Sequence, residues 1–145
     1  MAQEDKELIL MEICARLRYG VHCCVLNLNK TIKEDNDIIY GIVGDNIVTL
    51  KSDKNECYMY YQIKLYLRQM SSMTREELHE LQEILGPDIE IMDNLIDILD
   101  SSIHVFSILE LQAVFDWLNK HHFDYRRLIE KGLALETPER MYNLN

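Results

Sequence analysis

The hydrophobic pattern of the chain changes near residue 70, and this change narrows the available folds more than any other feature. Before it, short segments rich in β-branched residues alternate with turn signals. After it, capping boxes precede apolar stripes with helical spacing. We therefore predict an α+β fold in a single compact domain over residues 1–145. A helix and a small antiparallel sheet would occupy residues 1–70, and residues 71–145 would be mainly helical.

The first half contains signals for one helix and about four strands. A helix over residues 4–18 would bury Leu10, Ile13, Cys14 and Leu17 and end at Gly20, which can adopt the left-handed conformation. A strand over 21–28 and a polar loop over 29–36 follow. The segments 38–43 and 47–50, joined by a turn at 44–46, predict a hairpin. Segment 57–62 predicts a fourth strand.

The second half contains the clearest local boundaries. Residues 74–77, Thr-Arg-Glu-Glu, form a capping box, and the helix that follows should run to Leu85 and stop at the Gly-Pro pair after it. Residues 107–110 repeat the device and predict a helix that ends near Lys120. The two capping boxes therefore predict two of the helices in this half.

The remaining segments of the second half carry weaker signals. Asp124 can cap a short helix that ends at Gly132, and Thr137-Pro138 offers a further helix start. Residues 88–106 fit both a helix face and alternating strands. We predict a helix over 90–100, and the strand alternative stays open.

The chain is acidic, and the charge is concentrated in one stretch. Its 25 acidic and 15 basic residues give a net charge of −10, and residues 75–100 hold nine acids against one base. A surface of this sign opposes direct binding to nucleic acid and to anionic membranes. The stretch is either a solvated face or a nucleic-acid mimic that presents carboxylates to a partner. The candidate acidic face consists of Glu80, Glu83, Glu90, Asp93 and Asp97.

The sequence contains no recognisable catalytic or metal-binding motif. Residues 41–44 hold two glycines but lack the lysine of a phosphate loop, and adjacent histidines at 121–122 cannot face one ion from a helix. The N-terminus lacks the basic and apolar regions of a signal peptide. We expect a cytoplasmic protein of the bacterial host cell with no enzymatic activity, metal or cofactor. The four cysteines, Cys14, Cys23, Cys24 and Cys57, should be small buried thiols.

Two segments combine aromatic and basic residues, the types that dominate binding hot spots. They are residues 58–68 and 117–127. An aromatic core covered by arginines is the structural alternative. The candidate residues for a ligand or partner are Arg68, Trp117, His122, Tyr125, Arg126 and Arg127.

Two strings in these regions carry a resemblance. Residues 66–74, Tyr-Leu-Arg-Gln-Met-Ser-Ser-Met-Thr, and the segment from Trp-Leu-Asn-Lys-His-His-Phe-Asp-Tyr-Arg at 117–126 resemble small uncharacterised proteins encoded by phages and mobile elements of gut bacteria. Residues 15–21, Ala-Arg-Leu-Arg-Tyr-Gly-Val, before the first predicted strand, share the resemblance. The sequence departs from the pattern at Arg18 and Gln69, where proline is expected, and at Arg127, directly after the second string, where glycine is expected. The resemblance implies a genetic setting and no activity.

These observations favour a non-enzymatic accessory protein that binds a host protein, with an anti-defence role as one form of that activity. A binder that sequesters a nucleotide-like immune signal, and an acidic nucleic-acid mimic built on residues 75–100, are the alternatives. Formation of a homo-oligomer stays open.

Overall fold

The computed structural model describes residues 1–27, 29, 32–44, 47–52, 55–85 and 108–142. It confirms the α+β fold. The chain divides into two compact units. The first, called the sheet unit, comprises Met1–Leu67 and Arg127–Asn145; the second, called the helical unit, comprises Arg68–Arg126.

The sheet unit contains one helix and a mixed sheet with more strands than predicted. The sheet has six strands in the order β4-β3-β2-β1-β5-β6. Neighbouring strands are antiparallel except β5 and β6, which are parallel. The elements are α1 (Gln3–Arg16), β1 (His22–Leu26), β2 (Ile32–Val43), β3 (Ile47–Leu50), β4 (Cys57–Met59), β5 (Ile63–Leu67) and β6 (Ala134–Glu136).

The loop predicted over residues 29–36 is wrong for its second part. Strand β2 begins at Ile32, and its polar start pairs with β1 in a register that joins Leu26 to Ile32 and His22 to Ile38. Polar residues disfavour a strand when considered alone, but the ladder with β1 satisfies their backbone groups. The predicted pairing of the next two strands is confirmed, because β2 and β3 form an antiparallel pair.

Helix α1 buries a face that matches the predicted one only in part. Ile13 is buried, and Leu10 and Leu17 are partly buried against the core, as predicted, whereas Cys14 is exposed. The fully packed face also contains Ile9, Glu12 and Arg16. Glu12 and Arg16 are four residues apart and form an ion pair in which both side chains are fully buried. Because the two charges neutralise each other, a helical stripe that contains them can face the core, and hydrophobicity alone does not reveal it. The left-handed stop at Gly20 is confirmed.

The cysteines divide between interior and surface. Cys23 and Cys24 are buried as predicted, but Cys14 and Cys57 are exposed. Burial raises the pKa of the Cys23 thiol far above its ordinary value, and the nearby charge of Asp37 adds to the shift. Cys23 therefore behaves as a protonated apolar side chain in the core of the sheet unit.

Over the described residues 124–142, the C-terminal segment contains no helix where two were predicted. Residues 125–132 form turns, and the chain then enters β6. Gly132 has a φ of 73°, and the amide N–H groups of Gly132 and Leu133 donate to the carbonyls of Ile129 and Leu128. This is the bonding pattern of a Schellman motif, so the glycine stop is present without a preceding full helix. Thr137 directly follows β6, and its amide N–H donates a hydrogen bond to the carbonyl of Leu67.

Tyr142 attaches the end of this segment to the sheet. Its hydroxyl accepts a hydrogen bond from the amide of His22 at 2.8 Å and donates one to the carbonyl of Tyr66 at 2.8 Å. These two groups lie where the β1–β5 ladder would continue, one position beyond the Cys23↔Leu65 pair. The hydroxyl thus replaces a direct backbone hydrogen bond at the end of the ladder. Burial also raises the pKa of Tyr142, so the hydroxyl keeps its proton.

The helical unit contains helices α2 (Arg75–Leu85) and α3 (Ile108–Lys120). The capping box is confirmed, since the Thr74 amide donates to Glu77 at 3.0 Å and the Glu77 amide donates to Thr74 at 3.2 Å. The proposed stop after Leu85, the second capping box at 107 and the ambiguous residues 88–106 lie outside the described residues. The core of the unit consists of Leu81, Leu85, Val114, Trp117, Leu118 and Phe123.

Candidate functional site

The helical unit gathers charged and aromatic side chains into one connected group, which we call the Trp117 cluster. The group draws on helix α2, on helix α3 and on the two segments joined by the backbone bridge between Arg68 and Phe123. Its members are Arg68, Glu77, Glu80, Trp117, His121 and Phe123.

An ion pair forms the polar base of the Trp117 cluster. Arg68 donates from Nη1 to Glu77 Oε2 at 2.7 Å and from Nη2 to Glu77 Oε1 at 2.8 Å. Glu77 is also the acceptor of the capping box on Thr74. Burial alone would raise the pKa of Glu77, but the hydrogen bonds from Arg68 and Thr74 outweigh it and hold the pKa below the ordinary value. The carboxylate is therefore charged at neutral pH and fixes the start of α2.

An aromatic stack lies against this ion pair. The Arg68 guanidinium lies 4.2 Å from the ring centre of Phe123, which stacks on Trp117 at 5.8 Å. Trp117 in turn stacks on His121, with ring centres 4.2 Å apart and planes inclined by 27°. The spacing of four residues between Trp117 and His121 places both rings on one side of the end of α3.

The end of α3 sets the positions of His121 and Phe123. The amide N–H groups of His122 and Phe123 donate to the carbonyls of Asn119 and Leu118, as in a Schellman motif. His122 has a φ of 60° and occupies the left-handed position that glycine usually fills. The reversal of the chain there directs Phe123 into the core and leaves His121 beside α2.

His121 lies between two carboxylates of α2. Its Nδ1 is 3.5 Å from Glu77 Oε2, and its Nε2 is 4.0 Å from Glu80 Oε2. The Nδ1 atom is buried and has no hydrogen-bond partner. Burial lowers the pKa of His121 from the ordinary value for histidine, and the charges of Lys120 and Arg68 add to the lowering, whereas the charges of Glu77 and Glu80 oppose it.

Glu80 links the cluster to the surface. Its side chain is 57% exposed, yet Oε2 accepts a hydrogen bond from the indole N–H of Trp117 at 3.1 Å. Exposed glutamate side chains ordinarily sample many rotamers, and immobilising one costs free energy when it binds. Because the buried indole already restricts this carboxylate, less conformational entropy is lost when a partner binds it.

Helix α2 presents further carboxylates beside Glu80. Glu76 and Glu83 are also exposed, and with Glu80 they occupy positions spaced by four and three residues, so they share one helix face. Neither Glu76 nor Glu83 has an ion-pair partner in the described part of the chain. We call Glu76, Glu80 and Glu83 the acidic face of α2.

Among the residues predicted as an aromatic-basic site, Arg68, Trp117 and Tyr125 have their polar groups engaged within the protein, whereas Arg127 is exposed. Arg68 and Trp117 belong to the cluster, whereas His122 is buried in the turn. The Tyr125 hydroxyl donates to Asn119 at 3.1 Å, and the Arg126 guanidinium lies 5.4 Å from the Tyr125 ring. Arg127 is exposed with a φ of 62° and belongs to the sheet unit.

The predicted acidic face is described only in part. Glu80 and Glu83 lie on α2 and are exposed. Glu90, Asp93 and Asp97 lie outside the described residues.

The positions of His121 and Glu77 in the cluster do not follow from the sequence. The candidate histidine is His122, which the left-handed turn buries, and Glu77 is predicted only as part of the capping box. The spacings Glu77–Glu80 and Trp117–His121 place each pair on one helix face, so a search for helix-face pairs would have selected all four residues. The contact between the two helices could not be obtained from either spacing.

Neither a metal-ligand group nor a membrane-spanning helix is found among the described residues. No three His, Cys, Asp or Glu side chains among them come together in a way that could hold a metal ion. No helix among them combines the length and apolar composition that crossing a bilayer requires. Comparison of the chain with protein-family models, curated proteins and solved structures gives no match.

Proposed function

We propose that the protein is a non-enzymatic binding protein that recognises a basic segment of a host protein through the acidic face of α2. This activity fits an accessory protein encoded by a phage or mobile element, with interference in host defence as one form of it. The single observation that carries the proposal is Glu80, an exposed carboxylate that a buried tryptophan holds in place.

The geometry supports a basic protein segment as the ligand. Residues three and four apart on a helix lie about 5–6 Å apart between Cβ atoms, and a second helix with arginines at the same spacing presents matching charges. An arginine can bind a carboxylate with two parallel hydrogen bonds. The acidic face of α2 would then pair Glu80 at its centre with one arginine, and Glu76 and Glu83 with its neighbours.

The nucleotide-binding alternative finds less support in the same contacts. Its strongest candidate, Arg68, already gives two hydrogen bonds to Glu77 and lies against the Phe123 ring. A phosphate that recruited this guanidinium would have to break the ion pair at the start of α2. Arg126 and Arg127 are the residues that this alternative retains.

Binding of a designed peptide tests the proposal. The probe is a short alanine-based helical peptide with arginines spaced to match the acidic face of α2, titrated calorimetrically at neutral pH and low salt. We expect saturable binding that weakens as salt is added. Glu80→Gln should weaken it at least about tenfold, because a charge-assisted hydrogen bond contributes about 1.5–3 kcal/mol.

Two controls separate recognition from general attraction between opposite charges. Glu130→Gln removes the same charge at an exposed position of the sheet unit and should leave the affinity unchanged. A peptide with glutamines in place of the arginines should not bind. Equal losses in Glu80→Gln and Glu130→Gln, or no binding by the wild type, would refute the proposal.

A further inference from the structure

We propose that His121 is a proton-operated switch on the acidic face of α2, such that proton uptake by its ring ties Glu80 into the Trp117 cluster and weakens the binding of a basic partner. The inference rests on the proposed function for its effect on binding. Its effect on the cluster stands by itself.

The first step of the argument concerns the number of protons on the ring. A neutral imidazole carries one N–H, so it can donate to only one of the two carboxylates that it faces. A protonated ring carries two and can donate from Nδ1 to Glu77 and from Nε2 to Glu80. The separations are 3.5 Å from Nδ1 to Glu77 and 4.0 Å from Nε2 to Glu80, and Nδ1 is buried without a hydrogen bond, so both contacts have room to shorten.

The second step concerns the charges around the ring. Helix α2 contributes Glu77 and Glu80, α3 contributes Lys120, and the segment at the start of the unit contributes Arg68. Arg68 is already committed to Glu77 through both carboxylate oxygens. The remaining negative charge beside the ring is Glu80, so the added positive charge acts mainly on the carboxylate proposed to anchor the partner.

The third step is the effect on a partner. A positive charge about 4 Å from a carboxylate interacts with it by about 1 kcal/mol in a water-like environment. Neutralising Glu80 to this extent would weaken the affinity for an arginine peptide by about fivefold. Glutamates in water titrate near 4.3, so a change between pH 7.5 and 5.5 is dominated by histidine.

The fluorescence of Trp117 reports the switch directly. The chain contains one tryptophan, and its ring stacks on His121. A protonated imidazole in this position accepts an electron from an excited indole more readily than a neutral one, so we expect the intensity to fall on acidification, with a midpoint below 6.5. His121→Gln should abolish the step, and His79→Gln, an exposed histidine on α2, should preserve it.

Two additional measurements complete the test. The ring-proton resonance of His121 in the wild type should titrate with the same midpoint, which guards against a variant that fails to fold. His79 also lies beside Glu76 and Glu83 on this face of α2, so the peptide is titrated in the His79→Gln background. There it should bind about fivefold more weakly at pH 5.5 than at 7.5, and the double variant His79→Gln/His121→Gln should bind with equal affinity at both. A fluorescence step that survives in His121→Gln, or no step in the wild type, would overturn the switch even if the peptide binds.

A peptide affinity that is the same at both pH values in His79→Gln would also overturn it. Failure of the peptide to bind at any pH would overturn the proposed function and, with it, the effect on binding. In that case the fluorescence and resonance titrations would still decide whether His121 takes up a proton inside the cluster.

Discussion

The two units contain one prominent ion pair each, and the pairs differ in their connection to solvent. Glu12 and Arg16 are both fully buried on α1. Arg68 and Glu77 keep about a tenth of their side-chain surface exposed, and His121 joins them to the exposed Glu80. A buried pair tolerates no change of charge, because each partner compensates the desolvation of the other. A pair near the surface can exchange partners when a proton or a ligand arrives.

The comparison suggests different roles for similar chemistry. In the sheet unit the fully buried ion pair and the partly buried Tyr142 hydroxyl hold together polar groups of the interior. In the helical unit the ion pair supports a group of side chains that reaches the surface through Glu80. We infer that the first unit contributes stability and the second contributes recognition.

The largest expected effect comes from removing one arginine in each unit. Arg16→Met takes away the ion-pair partner of the buried Glu12, and we expect a loss of about 3–5 kcal/mol in the free energy of unfolding. The matched Arg68→Met should cost about 2 kcal/mol, because water can reach Glu77. Urea denaturation followed by circular dichroism measures both. Similar losses in the two variants would remove the distinction between the pairs.

A smaller loss is expected when the hydroxyl that closes the β1–β5 ladder is removed. Tyr142→Phe leaves the His22 amide and the Tyr66 carbonyl without that partner, and we expect a loss of about 1–3 kcal/mol. Hydrogen exchange should show faster exchange at the His22 amide. Tyr61→Phe, which removes a hydroxyl from an exposed ring of the sheet unit, serves as the control. Equal stability of Tyr142→Phe and the wild type would contradict the assignment.

The smallest effect is the dependence of stability on pH. Both His121 and Glu77 have pKa values that are lower in the folded protein than in the unfolded chain. On acidification the unfolded chain therefore takes up each proton first, and stability falls as the pH passes through each folded-state pKa. The loss from His121 begins below 6.5, and the loss from Glu77 begins below 4.5. Thermal unfolding of His121→Gln should lack the loss of stability attributed to His121. A pH profile identical to that of the wild type would contradict this assignment.

Local signals in the sequence predicted α1, α2 and the end of α3, but the helices predicted from Asp124 and from Thr137 are absent from the described residues. The capping box at Thr74 places both the start of α2 and a reciprocal pair of hydrogen bonds within four residues, so no distant contact is needed. Strands were harder, because β6 and the first part of β2 are stabilised by pairing with distant segments. The buried charges of α1 were missed for a related reason, since Glu12 is an acceptable core residue only with Arg16 beside it.

The candidate site was predictable as a list of residues and not as an arrangement. Glu80 was selected for its charge, and Arg68 and Trp117 were selected as residue types of binding hot spots. The contact that joins Glu80 to Trp117 spans 37 positions in the sequence. It depends on the packing of α2 against α3, which no local spacing defines. Only the fold distinguishes His121 from its buried neighbour His122.

The most direct test of the account follows the indole N–H resonance of Trp117 by NMR while the arginine peptide is added. The chain has one tryptophan, so the resonance is unique, and its hydrogen bond to Glu80 makes it sensitive to that carboxylate. We predict a saturable shift in the wild type that is lost in Glu80→Gln and retained in Glu130→Gln. An indole resonance that stays fixed while the peptide binds elsewhere would contradict the central role of Glu80.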